Sequence, residues 1–145
     1  MTDKIKSVSP NFSSDAQISA DDLQAAAQQG FKSVLNLRSP NESGFLADEQ
    51  QLAEAAGLKY ANVPLNPTEA NAEQVSSALE ALKDLPQPTL IHCAAGARAG
   101  AIALIADATR EGLTPEQVIA RAQEVGLSQE QPHLNHFIQT LQQKD

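Results

Sequence analysis

Tryptophan is absent from this chain, and tyrosine and phenylalanine together supply 3% of it. A core without large rings must be filled by many small aliphatic side chains. The hydrophobic fraction of 41%, carried mainly by Ala, Leu, Val and Ile, is enough for a globular interior and argues against disorder. Cysteine occurs once, so no intramolecular disulfide can form and a disulfide-stapled secreted scaffold is excluded. Cations are scarce: 10 Lys and Arg face 18 Asp and Glu, for a net charge of −8 and a pI near 4.7. Nucleic acid and anionic membrane surfaces need clustered cations, so neither is an expected partner. A local site for an anionic substrate stays compatible with that overall charge. Long apolar runs are missing too. The longest, AGAIALIADA, is about half of the roughly 20 residues that span a bilayer. The opening MTDKIKSVSPNFSSD has no apolar signal-peptide region. The expectation is a soluble cytoplasmic protein with one domain over residues 1–145.

Short β-type runs alternate with helical stretches, as in βαβ units. SADDLQAAAQQG reads as a helix capped by Ser19 and closed by Gly30. FKSVLNLR follows as a strand, ADEQQLAEAAG as a helix ending at Gly57, and KYANVPL as a strand broken by Pro64. TEANAEQVSSALEALKDL is a third helix, with Thr68 or Asn71 as cap and Val75, Leu79 and Leu82 on one face. QPTLIHC is apolar on both faces, which suits a central strand. The helix RAGAIALIADATREG begins directly after it and has almost no polar residue for two turns, so it should be buried. TPEQVIARAQEVG carries a Thr114 cap with Pro115 at the first helical position, and QPHLNHFIQTLQQKD is a last amphipathic helix. The predicted fold is α/β: a central, mostly parallel sheet flanked by helices, with the cysteine loop between a central strand and a buried helix.

The chemistry gathers in IHCAAGARAG. Cys93 ends the strand and Arg98 opens the helix. Ligands of open α/β sheets bind at such carboxyl ends. A helix start offers unpaired N–H groups and partial positive charge, which favour anions and thiolates. Gly96 permits a backbone turn that aims loop amides inward as an anion nest. The Arg98 guanidinium matches a tetrahedral oxyanion, and a cation at a helix start otherwise opposes the dipole. His92 can orient the loop through its backbone. The plainer alternatives are a buried cysteine, a simple glycine turn and a surface arginine. The order strand, His-Cys, Gly and Arg favours the reactive loop over them. His133 and His136 stand three apart on a helix, but no third metal ligand is visible and packing or surface roles are expected.

HCAAGAR resembles the signature loop of cysteine-dependent phosphatases, written HCxxGxxR. The upstream ISADDLQAAAQQGFKSVLNLR and GLKYANVPL resemble the dual-specificity phosphatase pattern. From about Ser13 to Gln142 the chain is similar to the bacterial beta-lactamase hydrolase-like phosphatases, or DUF442. The resemblance implies Cys93 as nucleophile and Arg98 as oxyanion ligand. His92, Ala94, Ala95, Gly96, Ala97, Ala99 and Arg38 would shape the binding site, with Arg38 either lining the pocket or only pairing with Glu42. It implies no metal or other cofactor. The implied partner is a phosphorylated protein or a small phosphate ester.

Three departures bear on activity. Only four residues, Ala94 to Ala97, separate Cys93 from Arg98, where phosphatases have five. That spacing resembles rhodanese loops of the form CxxGxR. Ala99 stands where a Ser or Thr hydroxyl usually helps the thiolate leave. The stretch VPLNPTEAN offers no Asp as general acid, leaving Glu69, Asp48 and Glu42 as candidates. Three readings therefore stand: a phosphatase forming a cysteinyl-phosphate, a sulfurtransferase using the same cysteine, and an anion-binding module without turnover.

Overall fold

The computed structural model describes residues 5–143. The chain runs β1 (Lys6–Ser7), β2 (Phe12–Asp15), α1 (Ala20–Gln28), β3 (Ser33–Asn36), α2 (Glu49–Ala55), β4 (Lys59–Asn62), α3 (Ala72–Asp84), β5 (Thr89–His92), α4 (Ala97–Glu111), α5 (Pro115–Glu124) and α6 (Pro132–Gln142). The five strands form one sheet in the order β1-β2-β5-β3-β4. Only the β1–β2 pair is antiparallel; β2, β5, β3 and β4 are parallel to one another. β5 lies at the centre, as its two-sided apolar sequence predicts. Its register sets His92 level with Asp15 on β2 and Asn36 on β3.

Local chemistry explains the helix ends. Ser19 and Asp22 form a reciprocal capping box on α1, and Thr114 and Gln117 form another on α5, where Pro115 supplies the first residue. Of the two caps open for α3, Asn71 takes the role, accepting from the Gln74 amide at 3.0 Å. α4 ends at Gly112, which adopts φ +68°, a conformation that a side chain disfavours.

Three apolar clusters fix the layers. Val34 and Leu90 pack with Leu23, Ala26 and Ala53 of α1 and α2 on one face of the sheet. Leu35 and Ile91 pack with Ala78 and Leu82 of α3 and with Ala99, Ile102 and Ala103 of α4 on the other. The far side of α4, with Ala101, Leu104 and Ile105, is covered by Val118 and Ala122 of α5 and Leu134 and Ile138 of α6. α4 is thus wrapped on both sides, which accounts for its apolar sequence. No described helix is long and apolar enough to cross a membrane.

The N-terminal hairpin is the element the sequence does not announce. β2 reads FSSD, three polar residues in four, yet all four are buried. What recruits it is the backbone ladder to β5, the pairing any strand beside a central one can supply.

Candidate active site

β5 delivers Cys93 to the carboxyl edge of the sheet, and α4 starts four residues later. Gly96 is the N-cap of α4 with φ +105°, in the left-handed region. A Cβ there would also meet the backbone of Asp15 and Ala16 at 3.9 Å. This turn brings the Gly96 N–H to the Cys93 sulfur at 3.1 Å. The Cys93 amide in turn bonds the Asp15 carbonyl at 3.3 Å, and the Ala94 carbonyl accepts from the Gln17 amide at 3.1 Å. The loop is thereby stitched to the β2–α1 connection. Cys93 is buried, while Ala94 and Ala95 are exposed at the loop's crest.

Arg98, in the first turn of α4, is buried and turned into the protein. Its Nη1 donates to the Leu65 carbonyl at 2.9 Å and the Leu37 carbonyl at 3.3 Å. Glu42 grips it with both oxygens, Oε2 to Nη1 at 2.9 Å and Oε1 to Nη2 at 3.0 Å. Burial alone would lower the Arg98 pKa. The Glu42 carboxylate, and after it the Cys93 sulfur, outweigh burial and hold it above its ordinary value. Its charge is therefore permanent.

Glu42 was one of three candidate acids, and its surroundings remove it from that role. Bonding to Arg98 lowers its pKa most. Burial opposes this, the Ser39 amide and Arg38 add to it, and the result is about 2. A carboxyl so acidic carries no proton to donate near neutral pH. Asp48 is the exposed N-cap of α2, with no side-chain capping bond. Glu69 is exposed, in a turn whose amides bond the Asn66 side chain. Neither forms a described hydrogen bond to the cysteine loop.

The depressed Glu42 pKa fixes a sign for stability. Its contribution is fully present above the unfolded value of 4.5 and is lost as pH falls toward 2. Glu42→Gln is expected to cost on the order of 2–3 kcal/mol at neutral pH. At pH 3 the gap between variant and wild type should shrink by more than half, measured by urea unfolding at both pH values. A gap independent of pH would show that the loss comes from packing and not from the ion pair.

Arg38 pairs with Glu42, the second of its two expected roles. Its Nε donates to Glu42 at 3.1 Å, its Nη1 to the Gln17 side chain at 2.7 Å and its Nη2 to the Ser43 carbonyl. The guanidinium is committed to bracing the loop after β3. Ala99, expected to shape the site, lies wholly in the core beneath it. His92 does what its position suggested, with Nδ1 at 3.4 Å from the Cys93 carbonyl.

His92 has a partner the sequence reading missed. Its Nε2 meets Glu49 Oε2 at 2.5 Å, and both side chains are buried. Glu49 Oε1 accepts from the Gln17 amide at 3.0 Å. The Tyr60 hydroxyl, which Asn36 contacts at 2.9 Å, is kept protonated by burial and by the nearby Glu49. A continuous polar chain therefore runs His92, Glu49, Gln17, Arg38, Glu42, Arg98. It joins His92, just before Cys93, to Arg98 five residues after it. One signal could have exposed Glu49: it falls four residues before Ala53, on the buried stripe of α2.

His133 is buried and hydrogen-bonded, and His136 is exposed. Among the described residues no group of three could hold a metal ion.

Known proteins share stretches of this sequence and this fold. A beta-lactamase hydrolase-like protein of Xylella fastidiosa (strain Temecula1 / ATCC 700964) is 31% identical over 100 residues, 66% of this chain. That match spans only 23% of the relative's length. A DUF442 protein of Shewanella putrefaciens CN-32 superposes with a TM-score of 0.76 at 20% identity, covering 95% of this chain and 88% of the other. P. aeruginosa TpbA, solved in complex with phosphotyrosine, gives 0.69 at 15% identity, covering 97% and 91%. At these identities the two structures speak for the fold. The family model for the phosphatase-like domain of beta-lactamase hydrolase-like protein matches residues 4–110, which contain every strand, the cysteine loop and Glu42, Glu49 and Arg98, and the chain belongs to that family.

Proposed function

We propose that this domain is a cysteine-dependent phosphatase acting on phosphate monoesters. The observation that carries the reading is the Gly96 amide held on the Cys93 sulfur at the head of α4, with the buried Arg98 guanidinium in the first turn of the same helix. The thiolate attacks phosphorus as the bond to the leaving oxygen breaks, giving a cysteinyl-phosphate. Loop amides and Arg98 stabilise the equatorial oxygens. Water then attacks phosphorus, the S–P bond breaks, and inorganic phosphate leaves with the thiolate restored.

No carboxylic acid among Glu42, Asp48 and Glu69 is placed to protonate the leaving group. The departing oxygen takes its proton from solvent, so aryl esters, whose leaving oxygens need protonation least, are the favoured substrates. The phosphotyrosine held by TpbA supports that class. Ala99 provides no hydroxyl to assist the thiolate as leaving group, so dephosphorylation of the enzyme is the slow step.

The four-residue loop favours a second reading, transfer of a sulfane sulfur from a donor through a Cys93 persulfide to a thiol. Fewer inward amides suit a smaller anion. Parallel assays separate the two: an aryl phosphate from about pH 5 to pH 8, and thiosulfate with a thiol acceptor. Phosphate release that depends on Cys93, with no pH limb from a general acid, is expected. Sulfur transfer alone would reject the phosphatase reading. A folded protein inactive in both assays would leave the anion-binding module.

A further inference from the structure

We infer that His133, on α6 and beyond the matched residues 4–110, is a positioning residue for Arg98. This rests on Cys93 and Arg98 forming the anion site. The connection from β4 to α3 leaves the sheet at Leu65, whose carbonyl holds Arg98 at 2.9 Å. The next carbonyl, that of Asn66, lies 2.8 Å from His133 Nε2. The Asn71 N–H lies 3.4 Å from His133 Nδ1. Asn66 offers an acceptor and Asn71 a donor, so the ring carries its proton on Nε2 and accepts at Nδ1. One buried imidazole thus clamps both ends of the 66–71 loop.

The clamp has a rigid base. Leu134 and Ile138 on the same helix are packed into the cluster covering α4. α4 carries Arg98, so α6 touches the arginine's helix by packing and the arginine's carbonyl ligand by hydrogen bonding. Without the imidazole, two backbone groups lose partners and the Leu65 carbonyl loses its neighbour's anchor. Arg98 then keeps Glu42 and the Leu37 carbonyl, but the Leu65 acceptor at its Nη1 is no longer fixed. A guanidinium displaced by even about an ångström changes the cation presented beside Cys93.

The test uses the chain's single cysteine, which makes alkylation unambiguous. Iodoacetate is an anion and iodoacetamide is neutral, so the ratio of their rates at Cys93 reports the cation beside it. Mass spectrometry follows both reagents. His133→Leu is expected to lower that ratio several-fold and to speed hydrogen exchange at the Asn71 amide. His133→Gln, which restores a donor toward the Asn66 carbonyl, should recover most of the ratio. Leu23→Ala, in the cluster on the opposite face of the sheet from α4 and α6, should lower the melting temperature and leave the ratio at its wild-type value. An unchanged ratio in His133→Leu would overturn the inference, as would an equal fall in Leu23→Ala. Aryl phosphate turnover is measured alongside. If the wild type shows none, the phosphatase reading fails while the ratio still judges His133.

Discussion

Replacing Cys93 by serine is expected to reduce aryl phosphate turnover by at least about 10³-fold. A hydroxyl is a far weaker nucleophile near neutral pH than a sulfur that a loop amide holds at 3.1 Å at the start of a helix. The substitution nearly conserves size, and the Gly96 N–H can bond oxygen as it bonds sulfur, so the fold should be retained. Anion affinity should survive, because the amides and Arg98 are still present. The measurement is paired: steady-state turnover, and calorimetric titration with inorganic phosphate. Lost turnover with retained binding is the signature of a nucleophile. Turnover that persists in the serine variant would assign the hydrolysis elsewhere.

The second large effect falls on stability. Glu49→Ala is expected to destabilise the domain by about 3–5 kcal/mol, the usual loss when one partner of a buried pair is removed. Glu49 is 1% exposed and His92 is not exposed at all, so no water replaces the lost carboxylate. His92 Nε2 and the Gln17 amide both lose an acceptor. Domains of this kind are stable by only about 5–15 kcal/mol, so the loss approaches unfolding. A fall in melting temperature of about 10 °C or more, followed by circular dichroism, is the expected result. Glu49→Gln keeps a carbonyl acceptor and should lose about half as much. A loss in Glu49→Ala below about 1 kcal/mol would show that the buried contact contributes nothing net.

What could be read from the sequence was local. The strand-loop-helix around Cys93 declares itself because its signals lie within ten residues: an apolar run, a glycine and an apolar helix. The caps at Ser19 and Thr114 were legible for the same reason, since a cap bonds only its own first turn. The polar chain was not. Glu49 reaches His92 across 43 residues, Gln17 reaches Glu49 across 32, and His133 reaches Asn71 across 62. Each looked like an ordinary polar residue of a surface helix or loop. Glu42 was seen as an acid to be weighed. Only the fold shows two guanidiniums on it, which changes its role from proton donor to permanent anion. β2 was hidden by its own composition: two serines and an aspartate in four residues show no apolar run, and they form a strand beside β5.

The polar chain around the loop matches its cations with anions. Arg38 and Arg98 are both answered by Glu42, and the protein as a whole carries −8. Little positive field can therefore leak from the cleft into solvent. A dianion wandering nearby gains no pull from a distance and senses the site only when its oxygens touch the donors. The domain is thus organised as a gauge and not as a collector: it measures what arrives, by shape and at contact, and recruits nothing from afar.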